Sequence, residues 1–111
     1  MSVDDATKID GLGLERETGF VVLTIADHLD WSRTKEHFDV LERKINAYLD
    51  FIASGQLREA MPEAEGRKAR ISVYLQFEPH LDARAALNAV TEKLAAIGIE
   101  FWYGSVTEAL G

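Results

Sequence analysis

Cysteine is absent from the sequence, and proline occurs only twice. Without cysteine the chain can form no disulfide, no thiolate nucleophile and no thiolate metal site, which fits a reducing compartment. No stretch approaches the roughly 18 consecutive apolar residues of a membrane span. The first residues also lack the basic and apolar regions of a signal peptide. We therefore expect a soluble cytoplasmic protein that makes no contact with a membrane.

Motifs with a known chemical mechanism are also missing. The sequence contains no glycine-rich phosphate loop, no nucleophile elbow, no His-Glu-x-x-His and no EF-hand spacing. The pair Gly11 and Gly13 lacks the third glycine and the following helix of a dinucleotide fingerprint. We therefore predict no cofactor, and the sequence favours a protein that is not an enzyme.

The charge is acidic and unevenly distributed. The formal net charge is −7, and residues 1–30 carry seven acidic against two basic side chains. Such a field repels phosphate backbones, so nucleic acid is not an expected partner. A basic protein partner or a cation is compatible with it, although surface acidity usually serves solubility.

One apolar stretch, residues 20–26, organises the rest of the sequence. It has almost no polar break and several β-branched side chains, which predicts a central strand covered on both faces. Weak alternation over residues 7–14 predicts an edge strand before it, joined by a polar turn that ends at Gly19. Behind the central strand, Asp30 or Ser32 is expected to cap the first helix.

The first helix has the clearest periodicity in the sequence. Apolar residues recur at steps of three and four, and Gly55 supplies the stop. These residues are Phe38, Leu41, Ile45, Tyr48, Leu49 and Ile52. The stretch 56–68, which contains Pro62 and Gly66, is predicted to be a loop or an irregular turn.

Strict alternation over residues 70–78 predicts a strand with one face on the core and the other in water. The inward residues are Ile71, Val73, Leu75 and Phe77. Asp82 is expected to cap a second helix that ends at Gly98. Its predicted buried stripe is Ala83, Ala86, Leu87, Val90, Leu94 and Ile97. Residues 99–106 are predicted to form the last strand.

The order of the predicted elements is ββαβαβ. Because one strand has a solvated face, both helices are expected to pack on the same face of a four-stranded mixed sheet. This is an α+β protein with the architecture of a two-layer open sandwich. Residues 1–111 are expected to form a single domain with frayed residues 1–6.

The tripeptide His-Leu-Asp occurs at residues 28–30 and 80–82, each time behind a predicted strand. Leucine before a capping aspartate is ordinary helix-start chemistry, so the repeat has a structural explanation. A functional alternative is that parallel strands bring both histidines to one crevice, as a zinc, manganese or iron site or an acid–base site. The candidate ligands are His28, His80, Asp27 and Asp30. His37 is interpreted as a partly buried structural residue, and Trp31 is expected to cover the helix start.

The sheet face that points away from the helices offers a second candidate surface. If Ile71 and its alternating neighbours face the core, then Tyr74 faces outward, and Val22 and Trp102 are expected to point the same way. Large apolar groups on a wet sheet face are typical of interfaces. Val22, Tyr74 and Trp102 are therefore the predicted interface residues, for self-association or for a protein partner.

Several stretches together resemble a small family of uncharacterised bacterial proteins of about this length. They are Lys8 to Asp10, Val22 to Trp31 and Lys44 to Gly55, followed by Pro62 and the third strand. The resemblance covers most of the chain and implies a bacterial cytoplasmic protein. It implies no activity, substrate or catalytic residue.

Two functions follow as hypotheses. The leading one is a non-enzymatic interaction module that forms a homodimer or binds a protein partner, through its open sheet face or its acidic strand ends. An immunity-type inhibitor that masks a basic toxin is one version of it. The alternative is a small metal-dependent or acid–base enzyme that uses His28, His80 and nearby carboxylates.

Overall fold

A computed structural model of the protein describes residues 9–105. Its elements are β1 (Gly11–Leu14), β2 (Val21–Asp27), α1 (Thr34–Ala53), α2 (Gln56–Ala60), a 3-10 turn (Pro62–Ala64), β3 (Ala69–Leu75), α3 (Leu81–Ala96) and β4 (Glu100–Ser105). The α+β class and the order ββαβαβ are confirmed, with the short helix α2 added. Within this part of the chain, no helix is both long and apolar enough to cross a membrane.

The four strands lie in the sheet in their sequence order, β1-β2-β3-β4. β1 pairs antiparallel with β2, whereas β2, β3 and β4 run parallel to one another. Both parallel connections step in the same direction across the sheet, and such connections are right-handed, so α1 and α3 lie on one face. The predicted mixed sheet with both helices on the same face is confirmed.

The core fills the layer between the sheet and the two long helices. Its fully buried side chains include Val21, Leu23, Ile25, Leu41, Tyr48, Ile71, Val73, Ala83 and Leu87. The prediction that β2 is covered on both faces is wrong, because Val22 and Thr24 are only half-buried and Ala26 is exposed on the other face. Their apolar or β-branched character serves pairing with the neighbouring strands rather than burial under a second layer.

Three predicted stretches end or fold differently. β3 stops at Leu75, three residues early, and Phe77 leaves the core with 44% of its surface exposed. α3 ends at Ala96, which leaves Ile97 63% exposed before the left-handed Gly98. The predicted loop 56–68 contains α2 and the 3-10 turn, because Leu57 and Ala64 pack into the core.

The helix starts also differ from the prediction. α1 begins at Thr34, and Asp30 instead closes the preceding turn, where its Oδ1 accepts hydrogen bonds from N and Oγ of Ser32. His80 caps α3, since its Nδ1 accepts from the N–H of Ala83, at 3.5 Å. Asp82 lies in the first turn of α3, where a carboxylate interacts favourably with the positive end of the helix dipole.

A buried polar group, which we call the edge cluster, consists of Asp10, Lys44 and Tyr48. Lys44 Nζ lies 3.0 Å from Asp10 Oδ1, and Asp10 Oδ2 accepts a 2.9 Å hydrogen bond from the N–H of Ala26. The Tyr48 hydroxyl donates to the carbonyl of Thr24 and accepts from the N–H of Asp10. Burial raises the pKa of Tyr48 to about 12, and the nearby Asp10 carboxylate adds to the increase. The cluster fastens the chain before β1 to both α1 and β2.

Candidate functional sites at the strand ends and on the open sheet face

The carboxyl end of β2 contains a buried Asp–His pair. His37 Nε2 lies 2.6 Å from Asp27 Oδ2, and both side chains are almost fully buried. His37 Nδ1 lies 2.9 Å from the carbonyl oxygen of Asp30. Each ring nitrogen therefore faces an oxygen, and the second oxygen of Asp27 accepts from the N–H of Leu29. The pair holds the turn after β2 against the first turn of α1.

Trp31 completes this group, and we call Asp27, Trp31 and His37 the strand-end cluster. The indole stacks on the His37 ring with centroids 3.7 Å apart and planes inclined by 23°. Its Nε1 donates a 3.0 Å hydrogen bond to the carbonyl of Phe77, in the connection between β3 and α3. This position fits the expectation that Trp31 covers the helix start. The ring also links the segment between β2 and α1 to the segment between β3 and α3, at the carboxyl ends of these strands.

His80 forms a second link between the same two connections. Its Nε2 lies 2.7 Å from Thr34 Oγ1, and that hydroxyl donates to the carbonyl of Trp31. Since the hydroxyl proton is used in this way, His80 Nε2 is the donor and Nδ1 remains the acceptor for Ala83. Both nitrogens of His80 therefore have structural partners.

The four candidate metal ligands have different surroundings. Asp27 is buried against His37, and His80 is bound to Thr34 and Ala83, whereas His28 and Asp30 are exposed. Among residues 9–105, no group of three or more histidine, aspartate or glutamate side chains is arranged to hold a metal ion. The metal hypothesis thus has no assembled ligand set within the described residues.

His37, not either repeated histidine, is the partner of Asp27. A signal for it was present in the sequence, because His37 precedes Leu41 by four residues and so lies on the buried stripe of α1. The geometry limits what the pair can do chemically. A general base needs a nitrogen within reach of a substrate proton, and both nitrogens of His37 already face protein oxygens. In this arrangement the Asp27–His37 pair has a structural role and connects the end of β2 to the first turn of α1.

A cleft of about 380 Å³ opens beside the strand-end cluster, and we call it the strand-end cleft. Its lining residues are His28, Leu29, Asp30, Ser32, Arg33, Glu36, His37, Val40 and Phe77. The side-chain and backbone hydrogen bonds from Ser32 hold the pKa of Asp30 below its ordinary value. Open α/β sheets usually bind ligands at the carboxyl ends of parallel strands, which is where this cleft lies.

The open face of the sheet is the second candidate site. Tyr74 and Trp102 lie diagonally across β3 and β4 with ring centroids 5.2 Å apart, and each is more than a third exposed. The residue paired with Tyr74 is Gly104, which places no side chain on this face. Val22 lies on the same face and is half-buried. It pairs with Arg70, four residues before Tyr74 on β3.

On the open face, one arginine is shared by two carboxylates. Arg70 pairs directly with Val22 across the strands, and its guanidinium contacts Glu15 at 3.0 Å and Glu100 at 3.2 Å. The pKa of Glu15 is lowered by the hydrogen bond from Thr18 and by Arg70. A shallow cavity of about 210 Å³ lies between Arg70, Ser72 and the two aromatic rings. The part of the face on β3 and β4 thus carries two aromatic rings, and of the three ion-paired side chains on this face one is positive and two are negative.

Comparison with known proteins identifies the family. No curated protein and no solved structure matches the chain. The model of DUF6572, a family of unknown function, matches residues 1–107. This match spans nearly all of the 111 residues and confirms the resemblance to a family of uncharacterised proteins. The chain belongs to the DUF6572 family.

Proposed function

We propose that this protein is a non-enzymatic interaction module that forms a homodimer through the open face of its sheet. The observation that supports it most directly is the Tyr74–Trp102 pair, in which two large rings on β3 and the edge strand β4 remain more than a third exposed on the uncovered face of the sheet. Aromatic side chains are the residues most enriched at the centres of interfaces. The two long helices occupy the other face, so the sheet has one side left for a partner.

The charge distribution favours a second copy as the occupant. Two molecules of net charge −7 repel each other, and this repulsion is smallest where charges are compensated. On the open face, Arg70 lies between two carboxylates, Glu15 and Glu100, and the remaining side chains of β3 and β4 there are polar or aromatic. Most of the negative charge lies elsewhere on the molecule. These three side chains leave one uncompensated negative charge on the face, so two copies that meet there repel each other less than the net charge of −7 implies.

The size of the face sets the expected strength of the dimer. The strands have 4, 7, 7 and 6 residues, and at about 3.3 Å per residue and about 4.8 Å between strands they give a projected area of roughly 380 Å² per copy. Two copies would bury about 760 Å², below the roughly 1,200 Å² at which stable specific interfaces begin and in the size range of weak, transient association. We therefore expect a reversible dimer that dissociates on dilution.

Sedimentation equilibrium over micromolar to millimolar concentrations tests this proposal. We expect the average mass to rise from the monomer value of 12.4 kDa toward twice that value. Tyr74→Lys removes one ring of the exposed aromatic pair and places a charge there, so it should weaken association at least tenfold. Ile97→Lys is the matched control, because Ile97 is an exposed apolar residue at the end of α3. A mass of 12.4 kDa at every concentration, or equal effects of both variants, would count against the proposal.

A basic protein partner, including a toxin masked by an immunity-type inhibitor, predicts the opposite response to salt. Salt screens the repulsion between two acidic copies, so the homodimer should become stronger between about 0.05 M and 0.5 M NaCl. Attraction between an acidic and a basic protein should weaken over the same range. Dimerisation that weakens with salt would show that charge attraction, rather than contact between the Tyr74–Trp102 pairs, drives association.

A further inference from the structure

The strand-end cleft is not used by the proposed dimer, because it lies at the end of the sheet and not on the open face. Leu29, Val40 and Phe77 form its apolar part; Leu29 and Val40 pack against the core but are only partly buried, and Phe77 is exposed. Phe77 is the clearest case, with 44% of its surface exposed. A concave apolar surface with a few convergent polar groups is the usual form of a small-molecule site.

Charges of both signs lie within one turn of α1 at the rim of the cleft. Arg33 and Glu36 form an ion pair of 3.4 Å, with side chains 80% and 69% exposed. Exposed pairs of this kind contribute little stability, so a ligand can separate them at small cost. Asp30 adds a second carboxylate, whose position is fixed by hydrogen bonds from Ser32.

We propose that the strand-end cleft binds a free α-amino acid with an apolar side chain. Such a ligand carries one charge of each sign, so its carboxylate can replace Glu36 as the partner of Arg33 while its ammonium replaces Arg33 as the partner of Glu36. The ligand carboxylate contacts Arg33, and the ammonium contacts Glu36 and Asp30. The ligand side chain then covers Leu29, Val40 and Phe77.

The neighbouring histidines define the limits of this site. His37 offers the ligand no polar atom, since both of its ring nitrogens face Asp27 and the carbonyl of Asp30. His28 is exposed on the wall of the cleft and can contact the ligand from the solvent side. Recognition of the two charges therefore rests on Arg33, Glu36 and Asp30.

Titration of the ¹⁵N-labelled protein with L-leucine, followed by amide chemical shifts, tests the proposal. We expect saturable shifts at Leu29, Val40 and Phe77. Isoamylamine lacks the carboxylate and 4-methylpentanoate lacks the ammonium group, so each should bind at least tenfold more weakly than L-leucine. Absence of saturable shifts with L-leucine up to about 50 mM, or equal binding of isoamylamine, would overturn the proposal.

Two variants locate the interaction, and the spectra themselves show that each is folded. Arg33→Gln should weaken L-leucine binding at least fivefold, whereas Arg43→Gln, an exposed arginine elsewhere on α1, should leave it unchanged. Phe77→Ala should also weaken binding of L-leucine. The dimer variant Tyr74→Lys should bind L-leucine normally, which separates the cleft from the open face. Unchanged binding in both Arg33→Gln and Phe77→Ala would exclude this cleft.

Discussion

Two buried polar clusters tie α1 to β2, and they differ in their distance from solvent. In the edge cluster, Lys44 and Asp10 are sealed between the helix and the sheet edge. The strand-end cluster joins Asp27 to His37 at similar burial, but His37 also lines the cleft. Within residues 9–105, no buried side-chain nitrogen or oxygen lacks a hydrogen-bond partner. Both clusters are thus fully satisfied, as buried polar groups must be.

The comparison shows that a dense group of functional side chains does not identify an active site. Residues 27–31 contain the most concentrated acidic and aromatic groups in the sequence, yet Asp27 and Trp31 are used to hold two connections together. The edge cluster also holds elements of the fold together, although its outermost residues, Asp10 and Tyr48, are 38 positions apart in the sequence. What distinguishes the strand end is the cleft beside it.

The largest expected effect is in the edge cluster. Lys44→Ala leaves the Asp10 carboxylate buried without its cation, and removing one partner of a buried pair typically costs about 3–5 kcal/mol. Urea unfolding measures the loss of the free energy of unfolding. Lys35→Ala, at an exposed position of the same helix, should change it by less than about 0.5 kcal/mol. Similar losses in the two variants would refute the structural role of Lys44.

A smaller effect is expected in the strand-end cluster. His37→Ala removes the partner of Asp27 and the ring on which Trp31 stacks, and we expect a loss of about 2–4 kcal/mol. The loss is smaller than for Lys44 because water from the cleft can reach the vacated position. The near-ultraviolet circular dichroism of Trp31 should decrease as well. His28→Ala, at an exposed histidine, is the control and should change the free energy of unfolding little. If His37→Ala lost more stability than Lys44→Ala, the expected order of the two clusters would be reversed.

The edge cluster should also give a response to alkaline pH. The folded pKa of Tyr48, about 12, lies above its ordinary value of 10, so the protonated phenol stabilises the fold. This contribution is complete below pH 10 and is lost as the pH rises through about 12. Tyr48→Phe should cost about 1–2 kcal/mol at neutral pH, since two hydrogen bonds disappear. Its stability should then fall less between pH 10 and pH 12 than that of the parent; an unchanged slope would contradict this assignment.

The smallest effect concerns the turn at the rim of the cleft. Ser32→Ala removes the hydroxyl that donates to Asp30, so the pKa of Asp30 should rise toward its ordinary value of 3.8. Because the folded pKa is lowered, the contribution of Asp30 to stability is present above that value and is lost as the pH falls further. Carboxyl chemical shifts during an acid titration measure the change. No change would mean that the remaining backbone hydrogen bond alone positions the carboxylate.

Much of the fold could be predicted because it rests on local periodicity. The apolar steps of α1 and the alternation of β3 are properties of neighbouring residues, and they determine which face each element buries. The glycine stops at Gly55 and Gly98 follow from local backbone preference, and both residues have positive φ. The single solvated strand face was enough to place both helices on one side.

The structure differs from the sequence prediction where contacts with distant residues override local preference. His80 caps α3 in place of Asp82, and its other ring nitrogen is bound by Thr34 from a different helix. β3 ends at Leu75, which pairs with Asp27 at the end of β2, and Phe77 beyond it leaves the alternating pattern. Likewise, the Asp10–Lys44 and Asp27–His37 pairs join residues 34 and 10 positions apart. Single-sequence patterns do not specify such pairings.

The proposed function depends on one property, self-association through the open face. The measurement that tests it most directly is sedimentation equilibrium of the parent protein beside Tyr74→Lys and Ile97→Lys. The account predicts a concentration-dependent dimer for the parent and Ile97→Lys, and a monomer of 12.4 kDa for Tyr74→Lys. A parent protein that stays at 12.4 kDa up to millimolar concentration would contradict it.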